Sequence, residues 1–151
     1  MGSSFSVECK ECGYQKDYYL GIGMLYGCLF SDRNDAAMMN FLSELVDSKE
    51  IMRKVEHILS MQNGCLDVRN GHMMYECTQC RTLDKRFHFL VKADSHEYEP
   101  EYLCSHCLAP LKILDVENAA VRSSFNSKGF SCPECLRCTL VEDQSKIICW
   151  D

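Results

Sequence analysis

Cys9-Lys10-Glu11-Cys12-Gly13-Tyr14 sets two cysteines two residues apart near the start of the chain, and the spacing returns at Cys77/Cys80, Cys104/Cys107 and Cys132/Cys135. Two intervening residues let a tight turn aim both sulfurs at one point while nearby backbone N–H groups donate to them. A zinc ion then needs a second pair from elsewhere to complete its tetrahedron. One such pair would fit a redox motif or chance; four in 151 residues form a constellation. They point to two zinc ions per chain, held by Cys9, Cys12, Cys77, Cys80, Cys104, Cys107, Cys132 and Cys135.

Gap lengths suggest how the pairs combine. The 24 residues between Cys107 and Cys132 come close to the usual ribbon spacing, in which two knuckles face each other across a small hairpin. The leading arrangement is therefore sequential: Cys104/Cys107 with Cys132/Cys135, and Cys9/Cys12 with Cys77/Cys80. A nested arrangement competes, because the second and third pairs are 23 residues apart and would leave the first with the fourth. A crossed one joins first to third and second to fourth. All three use the same eight sulfurs.

Cys28, Cys65, Cys138 and Cys149 are left over, and the default for such residues is a small buried hydrophobe. Cys138, with two residues between it and Cys135, is an alternative ligand. His106 and His72 are not needed where eight cysteines are available. Four thiolates close a zinc shell, whereas a catalytic zinc keeps a position open for water. The chain has no HxE and no HExxH, and its Pro133 lies inside the last pair, unlike the deaminase pattern. Non-enzymatic, structural zinc is the expectation. Rubredoxin-like iron also fits such pairs and stands as an alternative.

Between the knuckles the pattern changes. Tyr18 to Gly27 reads as a strand with glycines at bends, and the GxG of Gly21 and Gly23 is too short for a phosphate cradle. Over about 32–63, Met38, Met39, Phe41, Leu42, Leu45 and Val46 recur at helical spacing, with Asp32 or Asn34 as cap. Asp47 with Glu50 resembles a capping box opening a second helix that carries Ile51, Met52, Val55, Ile58 and Leu59, with Asn63-Gly64 as its stop. Arg86 to Lys92 partly alternates as a half-buried strand would, and an acidic loop, Asp94 to Glu101, follows. The expected fold is α+β: two zinc-ribbon or rubredoxin-like β lobes with an inserted helical segment. Residues 1–92 make the first lobe and 93–151 the second, with one compact unit as the alternative.

The bulk numbers narrow the role. Twelve cysteines inflate a 46% hydrophobic fraction, so the core is thin and metal staples matter. The first residues show no basic segment followed by an apolar one, and no apolar run is long enough to span a bilayer, so reduced thiols in the cytoplasm are expected. Met1-Gly2 with Ser6 matches the short N-myristoylation pattern, which chance often produces. The formal charge is −6, and two tetrathiolate zinc centres would take it to about −10, a field that repels polyphosphates. The leading function is a structural-zinc interaction module for a protein partner with basic patches. The alternative is a nucleic-acid-binding or transcription-associated ribbon, using Arg81, Lys85, Arg86, His88 and Lys92 interleaved with Phe87 and Phe89.

Val7 to Tyr14, followed by Leu20-Gly21-Ile22-Gly23-Met24-Leu25-Tyr26, resembles the opening of small uncharacterised zinc-ribbon proteins common in Firmicutes. Cys132-Pro133-Glu134-Cys135 and the closing Trp150-Asp151 resemble the end of the same group. The resemblance implies a four-knuckle zinc fold and no particular activity. Leu136 and Arg137 stand where the group commonly has a glycine, which puts the geometry of the fourth turn in question.

Overall fold

A computed structural model describes residues 2–23, 35–61, 64–94, 96–116, 129–143 and 149–150, with the single residues 118, 121, 125, 127 and 145. The features expected at Asp32, Asn34, Gly27, Cys28 and Asn63 lie outside the described residues. The fold is α+β. Its elements are β1 (Gly2–Cys9), β2 (Gln15–Leu20), α1 (Asp35–Leu45), α2 (Lys49–Leu59), β3 (Cys65–Cys77), β4 (Leu83–Ala93), β5 (His96–Tyr98), β6 (Leu111–Ile113), β7 (Leu140–Glu142) and β8 (Cys149–Trp150).

Among the described residues the strands form two antiparallel sheets. In the first, β1 lies between β2 and β7, and β8 joins the far end of β1 through Gly2 and Ser3. Phe5 and Val7 are buried, and so are Ser4 and Ser6, so both faces of β1 are covered. The second sheet runs β5-β4-β3-β6. Both β5 and β6 follow residue 92, yet they pair with β4 and β3, so the ladders cross the expected lobe boundary. The second sheet and the two helices form an inner lobe set within an outer one that joins the two ends of the chain.

The lobes are stitched together. Gly21 and His72 exchange backbone hydrogen bonds of 2.7 and 3.0 Å, tying the end of β2 to β3. Gly71 makes this approach possible at φ +59°, because a Cβ there would lie 2.3 Å from Ile22 Cγ1. β3 then serves two cores. Met74 joins Phe5, Val7, Phe125, Phe130 and Leu140, whereas Tyr75 joins Phe87, Phe89 and Val91 with the helices.

The helical periodicity places Leu42, Val46, Ile51 and Val55 against the second sheet as expected. The second cap differs by one residue. Ser48 accepts from Ile51 N–H at 3.3 Å, so Ser48 and not Asp47 is the N-cap. Glu50 then falls one position short of closing a box and pairs with Lys54 at 3.0 Å instead. The acidic loop differs too: Asp94 turns at φ +46°, and His96–Tyr98 add a short edge strand to β4.

Candidate metal centres

The eight cysteines of the four CxxC pairs gather into two groups, each with its four sulfurs within 4.8 Å of one another. The outer group is Cys9, Cys12, Cys132 and Cys135; the inner is Cys77, Cys80, Cys104 and Cys107. The pairing is nested, which corrects the sequential arrangement. Gaps of 24 and 23 residues could not separate the two. Strand pairing does: β6 returns beside β3 with Leu111 opposite Cys77, and β7 returns beside β1 with Leu140 opposite Cys9. In each lobe one knuckle caps a long hairpin, β1–β2 or β3–β4. The other caps a short one, closed by the Phe130–Leu140 or Leu103–Pro110 bridge.

All four knuckles share one backbone design. The first cysteine's carbonyl accepts from the residue four further on: Gly13, Arg81, Leu108 and Leu136, at 3.0, 3.2, 3.0 and 2.9 Å. Its N–H donates to the carbonyl five further on: Tyr14, Thr82, Ala109 and Arg137, at 2.7, 3.0, 2.9 and 2.8 Å. Closing this loop needs a left-handed residue after the second cysteine. Gly13, Arg81, Leu108 and Leu136 sit there at φ +73°, +59°, +59° and +58°. The missing glycine of the fourth turn is thus met by Leu136 taking the same conformation, at the steric cost an L side chain bears there.

The turns also aim donors at sulfur. Gln79 and Cys80 N–H point at Cys77 Sγ, and His106 N–H at Cys104 Sγ, each at 3.4 Å. Hydrogen bonds from the Thr139 hydroxyl above all, and from the Cys12 and Glu11 N–H groups, bring the Cys9 thiol down to about 6 against the opposing effect of burial. Burial works against ionising Cys104, but Thr82 and the Cys107 and His106 N–H groups bring it too to about 6. The Tyr14 hydrogen bond favours the Cys12 thiolate, yet burial and the neighbouring sulfurs push that thiol up to about 12. Burial raises Cys132. In the outer group Cys9 thus ionises readily while Cys12 and Cys132 resist, as crowded thiols without a counter-charge must.

The donor set fits a tetrahedral cation. Bonds of 2.3 Å would place sulfurs ~3.8 Å apart. Across the outer group Cys9–Cys135 and Cys12–Cys132 are 3.7 and 3.6 Å apart; across the inner, Cys77–Cys107 and Cys80–Cys104 are 3.4 and 3.6 Å. Disulfides need about 2.05 Å, and these cysteines are free. Each site could hold one metal ion, so the described residues offer two such sites.

The other candidates fall outside both groups. Cys138 is exposed and its sulfur lies 3.5 Å from Ser131 Oγ; Cys65 is exposed as well, so neither is the buried filler expected. Cys28 lies outside the described residues, and only the backbone of Cys149 is described. His72 packs edge-on against Phe87, with centroids 5.3 Å apart. The aromatics interleaved with the basic residues are not offered to a nucleic acid: Phe87 and Phe89 are 3% and 1% exposed, turned inward toward the helices. Three cations of the run are engaged, Arg81 with Glu76, Arg86 with Asp84 and Lys92 with Glu97. Thr82 and Thr139, which touch the sulfurs, carry too common a residue type to stand out from sequence.

No family model, no curated protein and no solved structure matches the chain. The four-knuckle plan is present in the fold, while the resemblance of the chain ends to the Firmicutes group rests on the quoted residues alone.

Proposed function

We propose that the chain is a structural-zinc interaction module, working in the cytoplasm and holding one zinc in each four-cysteine group. The observation that carries this reading is the position of the two groups. Each joins the turn of a long hairpin to that of a short one, where a tetrahedral cation would staple a lobe whose own core is thin. Four sulfurs complete such a shell and leave no position for water or substrate, which favours a non-catalytic role.

An open groove of about 870 Å³ between the helical segment and the β4–β5 edge suits the partner surface. Asp47, Glu50, Glu97, Glu99 and Glu101 line it, against only Lys54 and Arg86. Lys54 is already held by Glu50 and Arg86 by Asp84, so the groove's field is negative. Ile51, Tyr98 and Tyr102 supply apolar surface beside the carboxylates. A Lys/Arg-rich segment with an apolar anchor is the complementary ligand, attracted at low salt and released as salt rises.

Two measurements test this. Metal analysis of protein from zinc- and iron-supplemented cultures should return about two zinc per chain; a red, absorbing protein would overturn the zinc assignment. A fluorescent Lys/Arg-rich peptide should bind the zinc-loaded chain and lose affinity on Glu97→Lys with Glu101→Lys. Equal binding to the charge-reversed variant, or preference for single-stranded DNA, would refute the groove as a basic-partner site.

A further inference from the structure

We propose that Thr82 and Thr139 are positioning residues of the two metal centres, each directing a hydroxyl hydrogen onto cysteine sulfur and so restraining metal loss. The proposal rests on the zinc reading above and adds to it a residue-level determinant of each site. Thr139 Oγ1 lies 3.0 Å from Cys9 Sγ. Thr82 Oγ1 lies 3.1 Å from Cys80 Sγ and 3.5 Å from Cys104 Sγ. Cys9, Cys104 and Thr82 are nearly inaccessible and Thr139 is half-buried, so water is kept from the Thr82–Cys104 contact and reaches the outer one from the Thr139 side alone.

Both hydroxyls are held in place by the knuckles themselves. The Thr82 carbonyl accepts from Cys77 N–H at 3.0 Å, and the Thr139 carbonyl accepts from Lys10 N–H at 3.3 Å. Each side chain also crosses from one knuckle of its centre to a sulfur of the other. Thr139 follows the Cys132/Cys135 turn and reaches Cys9; Thr82 follows the Cys77/Cys80 turn and reaches Cys104.

The two threonines are not copies of one position. Thr139 precedes Leu140, which pairs with Cys9; in the inner lobe Pro110 precedes Leu111, which pairs with Cys77. Proline brings no hydroxyl there. Thr82 stands two residues after Cys80, and the corresponding residue after Cys12 is Tyr14. Each centre therefore obtains a hydroxyl donor from a different place in an otherwise repeated architecture, which points to a requirement of the site and not to the repeat.

The chemistry explains the requirement. A tetrathiolate around a divalent cation keeps a net charge of −2, and its sulfurs retain lone pairs able to attack electrophiles or take up protons. Donors aimed at them draw off that charge, fix their orientation and lower their nucleophilicity. The knuckle N–H groups supply part of this, and the hydroxyl adds a side-chain donor.

Valine is close to threonine in shape and lacks the hydroxyl, while serine keeps it. The full-length chain loaded with two zinc should be challenged with a chromophoric chelator, alongside Thr82→Val, Thr139→Val and the two serine variants. Thr82→Val should weaken one equivalent about 10–100-fold, Thr139→Val the other equivalent by a similar factor, and serine should restore wild-type retention. In cobalt-loaded protein the sulfur-to-metal charge-transfer band should shift in the valine variants and not in the serine ones. If Thr82→Val fails to load while Thr82→Ser loads normally, the hydroxyl is required and the proposal stands. Two equivalents held by the valine variants as tightly as by wild type, or weakened equally by serine, would overturn it while leaving the zinc reading intact. A wild-type chain that binds no metal would sink both.

Discussion

Replacing Leu108 or Leu136 by glycine should stabilise the protein, although each change removes a large apolar side chain. Both leucines follow the second cysteine of a knuckle at φ near +60°, and both are mostly exposed, at 72% and 66%. Little buried area is therefore lost. A left-handed conformation costs an L residue about 1–2 kcal/mol, whereas glycine adopts it freely and instead loses about 0.5–1 kcal/mol more backbone entropy on folding. The balance favours glycine by roughly 0.5–1 kcal/mol at each site, or about 2 °C in Tm for a chain of this length. The two turns belong to different centres, so the double variant should gain close to the sum. Gly13→Ala gives the reciprocal test. A Cβ at Gly13 meets nothing within 4 Å, so its cost of about 1 kcal/mol would be conformational alone. Thermal and urea denaturation at fixed, saturating free zinc measure all four variants, the fixed metal being necessary because bound ions shift apparent stability. Glycine at 108 and 136 lowering Tm, with Gly13→Ala neutral, would refute the shared left-handed turn.

Further outcomes follow from other contacts. Tyr102→Phe removes the hydroxyl that donates to the Phe87 carbonyl at 2.6 Å in the buried core, and should cost about 1–2 kcal/mol in urea denaturation. Burial, and secondarily Lys85, lowers His72 to about 4, so the folded protein favours the neutral ring. The stability tied to that neutrality is complete above the ordinary histidine value and is lost as pH falls toward 4. With partial solvent access allowed for, His72→Phe should gain on wild type by on the order of 1 kcal/mol across that interval, and parallel curves would contradict this. Cysteine variants read the nesting: Cys9→Ser and Cys132→Ser should each lose one zinc and together still only one. Cys9→Ser with Cys104→Ser should lose both.

The eight sulfurs were legible because ligand spacing is local chemistry: two residues between cysteines determine what a turn can do. The helices were legible for a similar reason, their apolar faces repeating from Met38 to Leu59. Pairing of the knuckles was not, because it depends on which strands return beside β1 and β3. Leu111 and Leu140 sit in three-residue strands too short for alternation to reveal. The same applies to the base-and-aromatic run from Arg81 to Lys92. Sequence shows alternation there but not which face meets the helices, and Phe41 against Phe87, with centroids 6.2 Å apart, decides that the aromatics turn inward. Thr82 and Thr139 escaped notice because their significance lies wholly in a tertiary contact with sulfur.

Cadmium-113 substitution, with each metal correlated through bonds to the Cβ protons of its cysteines, tests the two centres most directly. Two resonances in the shift range of four-sulfur coordination are expected. One should correlate with Cys9, Cys12, Cys132 and Cys135, the other with Cys77, Cys80, Cys104 and Cys107. A single resonance, a shift indicating fewer than four sulfurs, or one cadmium joined to both Cys104 and Cys132 would contradict the nested tetrathiolate centres.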